Sequence, residues 1–121
     1  MPARQDALDR ARHHSPFLRE AAAALPDLVE TFVQQGSQTA VEEALAAQSD
    51  SVEAQLRRQR LGVALTVALG DLAGEFSFEE ATRHLSDFAD MAIERSLVTA
   101  LTERVPGAEV RGCRACRAQG P

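Results

Sequence analysis

Lysine, asparagine, tyrosine and tryptophan are missing from this 121-residue chain, and Ile93 is its single isoleucine. Each gap removes a chemistry. Without lysine there is no phosphate-loop lysine, no Schiff base and no lysine general base. Without tyrosine or tryptophan, stacking on nucleic-acid bases would rest on five phenylalanines. The seven glycines never fall at the intervals of a phosphate loop or a dinucleotide fingerprint. No apolar run reaches the roughly 18 to 20 residues that span a bilayer, and the opening Met1 to Asp6 lacks the apolar centre of a signal peptide. The expected location is cytoplasmic. Cys113 and Cys116 are the only cysteines, and a disulfide between them would close a tiny loop, too small to staple the body.

Thirteen arginines face 18 acidic residues, for a net charge of -5. That sign argues against a nucleic-acid partner, because such domains carry basic stripes that neutralise phosphates. A 45% apolar composition at this length is enough for one domain with its own core.

Proline, glycine and capping residues divide the chain into helical segments, and no strand pattern competes. The expected fold is an all-α bundle of about five helices ending in a long antiparallel hairpin, over residues 1–105, with an irregular tail over 106–121. A short first segment runs from about Arg4 to His13. Ser15 followed by Pro16 is a helix start, and Pro26 both ends that helix and opens the next. Leu28, Val29, Phe32 and Val33 give the helix at 26–35 an apolar face, and Gly36 is placed to end it. A further short helix spans about Thr39 to Gln48. Asp50 with Glu53 and Ser77 with Glu80 each match a capping box, which predicts two long helices. The first, about 51–73, is apolar on nearly every face after Arg60, as a buried central helix should be. Gly62 and Gly70 inside it suggest close helix approach, and Gly74 is its expected cap. The second, about 78–105, carries a stripe from Phe78 through Ala81, Leu85, Phe88 and Ala92 to Leu101, widened by Ala89, Ile93, Leu97 and Ala100. It is expected to close the bundle.

Few residues suggest chemistry. Arg57, Arg58 and Arg60 form the densest basic cluster, suited either to gripping a phosphate or carboxylate or to pairing with Glu53, Glu79 or Glu94. Asp71 lies near a helix C-terminus, where the dipole disfavours negative charge, and should have a partner in Arg83 or Arg95. His84 and Asp87 can meet on one helix face; the bland expectation is a surface histidine among ion pairs. Cys113-x-x-Cys116 is half a zinc site or a redox pair, yet neither the remaining ligands nor a strand-to-helix setting accompanies it. No catalytic, cofactor or metal residue is assigned.

Ser15-Pro16-Phe17-Leu18, Pro26-Asp27-Leu28, Leu56-Arg57-Arg58-Gln59-Arg60, Asp71-Leu72-Ala73-Gly74 and Leu85-Ser86-Asp87-Phe88-Ala89-Asp90 occur in this order. Together they resemble the N-terminal helical region of bacterial glutamine synthetase adenylyltransferases, over about Ala7 to Gly112. The resemblance implies bifunctional enzymes that attach AMP to a tyrosine of glutamine synthetase and remove it by phosphorolysis, under control of the PII signalling protein. It also implies ATP and Mg²⁺, held by a nucleotidyltransferase site with a Gly-Ser turn and an Asp-x-Asp pair beyond the helices. That pair is absent here: Ser49-Asp50-Ser51 has one aspartate, and Asp87-Phe88-Ala89-Asp90 has the wrong spacing. The chain alone is therefore expected to bind no cofactor and to be inactive. Its tail, rich in Arg, Cys, Ala, Gly and Pro, has the composition of GC-rich DNA read in a shifted frame, so a truncated N-terminal piece lacking its catalytic domain is the leading expectation. The alternative is a stand-alone helical protein-binding module.

Overall fold

A computed structural model describes residues 2–105 and 107. Six α-helices follow one another: α1 (Pro2–His14), α2 (Pro16–Ala24), α3 (Pro26–Gln35), α4 (Ser37–Leu45), α5 (Val52–Leu72) and α6 (Phe78–Arg104). There is no strand among the described residues. The six helices correspond one by one to the segments that proline, glycine and capping residues mark out, with the fourth shifted from about Thr39–Gln48 to Ser37–Leu45 because Gly36 is followed at once by helix. The expected tail, with Cys113 and Cys116, lies outside the described residues.

Local chemistry explains most of the breaks. Ser15 Oγ accepts the Leu18 N–H at 3.2 Å, and Pro16 occupies the first helical position, where its missing N–H is no loss. Leu25, forced out of the helical region by Pro26, joins α2 to α3 at φ -125° and ψ 61°. Gly36 both ends α3 and precedes α4 at φ +102°, a conformation that favours glycine. Ser77 and Glu80 form the expected capping box, both hydrogen bonds at 3.1 Å. The start of α5 differs from the expected one. Ser51 is the cap, its Oγ accepting the Ala54 N–H at 3.1 Å. Asp50 thus falls one residue outside the helix, and Glu53 sits one position too early to close a box.

Helix α5 is the hub, close to every other helix, as its apolar run predicts. Leu65 and Leu69 are fully buried in it beside Phe32 of α3 and Val41 of α4. Each such side chain contributes about 1.5–3 kcal/mol relative to exposure. Both interior glycines mark close approach. A Cβ at Gly62 would stand 2.9 Å from the Ala44 Cβ, and one at Gly70 would collide with the Phe76 ring. Thr66 satisfies its buried hydroxyl by donating to the Gly62 carbonyl at 2.8 Å.

The turn after α5 is tied to distant helices. Glu75 accepts from Arg4 Nε of α1 through Oε2, and from both the backbone N–H and hydroxyl of Ser37 through Oε1. Arg10 of α1 donates to the Leu72 carbonyl at 2.8 Å.

The closing helix departs most from the sequence pattern. Helix α6 runs antiparallel to α5, and among the described helices its backbone approaches that one alone. None of its 27 residues is buried. Of the expected stripe, Ala81 and Phe88 pack against the core, whereas Phe78, Leu85, Ile93, Leu97 and Leu101 are exposed, Phe78 by 82%. One neighbouring helix covers one side, and the apolar residues of α6 occupy more than one side.

Candidate functional site

The arginine cluster does not converge. Consecutive helical residues diverge by about 100°, and Arg57, Arg58 and Arg60, all exposed, surround Gln59, which is buried and donates to the Leu45 carbonyl at 2.8 Å. Arg57 lines a groove of about 370 Å³ between the start of α5 and the end of α6, with Glu53 and Glu103. Arg58 lines a different cleft, of about 460 Å³, where the α2–α3 junction meets the end of α4 beside Asp27 and Glu43. The three guanidinium groups are therefore not brought together to grip one anion. Among the described residues, no ion pair joins them to Glu53 or Glu79.

Asp71 also departs from expectation. It is exposed and, among the described residues, forms no ion pair. Arg95 instead donates to Gln55 Oε1 at 3.4 Å. The last turn of α5 directs Leu69 and Gly70 inward and leaves Asp71 in water, so solvation replaces the expected partner.

His84 is half-buried rather than a surface residue among ion pairs. Its ring packs on Phe76 with centroids 4.8 Å apart at 49°. With Asp87 and Phe88 it lines a groove of about 190 Å³ against Val41, Leu45 and Val63. Among the described residues, no three His, Cys, Asp or Glu side chains are placed to hold a metal ion. No helix among them is long and apolar enough to cross a membrane.

Glu75 escaped sequence reasoning altogether. Its partners lie 38 and 71 residues away, and no short motif signals such a contact. Burial works to raise its carboxyl pKa, but the hydrogen bonds from Arg4 and Ser37, with the Arg4 charge, outweigh it and hold the group below the ordinary glutamate value. Its surroundings are structural: one carboxylate joins the α5–α6 turn to α1 and α4.

The feature with the character of a site is the outer side of α6. Leu85, Ala89, Ile93, Leu97, Leu101 and Val105 recur every fourth residue, and all six are exposed, Ile93 by 67% and Leu97 by 55%. Residues four apart advance about 40° round a helix at each step, so the row winds about 200° between Leu85 and Val105, and only three or four successive members share one side. Asp90 follows Ala89 along one flank of this row, and Ser96 precedes Leu97 on the other. Its elements of construction are visible: α5 fixes one side of α6, the Ser77 capping box fixes its start, and the winding row is what the other described residues leave exposed.

Comparison of the chain with family models, with curated proteins and with solved structures finds no match by any of the three routes.

Proposed function

We propose that this chain is a helical docking module of the kind found at the front of glutamine synthetase adenylyltransferases, one that holds a protein partner and does not itself transfer AMP. The observation that carries the docking role is the exposure of large apolar side chains on α6, Ile93 and Leu97 above all. Contiguous apolar surface rimmed by polar residues marks an interaction face in a water-soluble fold. The ordered motifs from Ser15 to Asp90 support the family reading, since Ser15-Pro16 and Asp71-Leu72-Ala73-Gly74 stand at helix boundaries here. In that family ATP and Mg²⁺ belong to the nucleotidyltransferase site, and the 121 residues contain no Asp-x-Asp pair to hold the metal. Adenylylation, deadenylylation and the response to PII are thus assigned to a separate catalytic domain, and glutamine synthetase and PII are the partners the reading names.

The purified chain, incubated with glutamine synthetase, ATP and Mg²⁺, should yield no AMP-tyrosine. Titration calorimetry of the same chain against glutamine synthetase and against PII should show saturable binding to one of them. AMP-tyrosine in the first experiment overturns the non-catalytic role, and silence in both titrations overturns the family partners. A stand-alone binding module is the second reading, favoured by a core that α1–α5 complete with little help from α6.

A further inference from the structure

We draw no further inference here: the strongest candidate, the exposed apolar surface of α6 around Ile93 and Leu97, carries nothing because nothing in the structure shows what covers it.

Discussion

Glu75 and Ser37, 38 residues apart in sequence, are joined twice: Glu75 Oε1 accepts the Ser37 backbone N–H at 2.9 Å and its hydroxyl at 2.7 Å. The contact supplies what the start of α4 lacks. Its N-cap residue is Gly36, which has no side chain to satisfy the first amides, and a carboxylate from the α5–α6 turn takes that role. The same carboxylate holds Arg4 of α1, so one side chain ties the α5–α6 turn to both α1 and α4.

Ser37 is 1% exposed, and removing its hydroxyl leaves one acceptor position of Glu75 unfilled in a poorly solvated place. Hydrogen bonds to charged groups contribute about 1.5–3 kcal/mol. Ser37→Ala should destabilise the fold by an amount in that range in urea denaturation. A change below about 0.5 kcal/mol, the level of ordinary surface substitutions, would show that the hydroxyl contact adds nothing to the backbone cap of α4.

The pH dependence follows from the direction of the Glu75 shift. Its pKa in the folded state lies below its ordinary value, because the Arg4 and Ser37 hydrogen bonds overcome burial. The unfolded chain therefore takes up this proton first as pH falls. The contribution of Glu75 to stability is present in full above the ordinary glutamate value, about 4.3, and is lost as pH falls through the depressed folded value. Unfolding free energies measured between about pH 6 and pH 3 should drop more steeply for the natural chain than for Glu75→Gln. Parallel curves would remove Glu75 from the account of acid unfolding.

Two glycines of one helix should respond differently to alanine. At Gly70 the new methyl group meets the Phe76 ring and lies 2.8 Å from Ser37 Oγ, a case of overpacking expected to destabilise by about 1–3 kcal/mol. At Gly74 nothing stands within 4 Å, and only the φ of +75° is strained, for about 1 kcal/mol. Thermal denaturation of both variants separates a steric effect from a conformational one. The stronger loss belongs to Gly70→Ala.

The start of α5 allows a comparison between neighbours. Ser51 accepts the Ala54 amide, so Ser51→Ala should lose about 1 kcal/mol. Asp50→Ala, one residue outside the helix, should stay within about 0.5 kcal/mol of the natural chain. The reverse order would restore the capping box that the sequence suggests.

Amide hydrogen exchange should divide the long hairpin in two. Helix α5 is enclosed by five helices, whereas α6 has no buried residue and one close helical neighbour. Opening of α6 then requires less free energy than opening of α5, and its central amides should exchange at least about tenfold faster. Equal protection across both helices would mean that they open as one unit.

Most helix boundaries were legible because they are local. Ser15-Pro16, Leu25-Pro26, Gly36, Ser77 with Glu80, and Gly74 each act on amides or dihedrals within about one helical turn. The central place of α5 was legible too, since a helix apolar on nearly every face has to be surrounded. The error at Asp50 shows the grain of such reasoning: two adjacent residues can both cap, and which one does depends on where the chain enters the bundle. For the suggested site residues, the sequence showed three arginines close along the chain, but helical rotation sent Arg57 and Arg58 to different grooves.

By itself, then, the sequence determined that this protein is helical, where most of its helices start and stop, and which helix lies at the centre, because propensity, capping and periodicity act over a few residues. Tertiary structure alone decided the rest. It set Asp71 in water, placed His84 against Phe76, brought Glu75 to Ser37 and Arg4, and left Leu85, Ile93 and Leu97 exposed. An apolar stripe records that a surface favours burial; whether it is buried depends on how many neighbours the fold supplies, and among the described helices α6 has one.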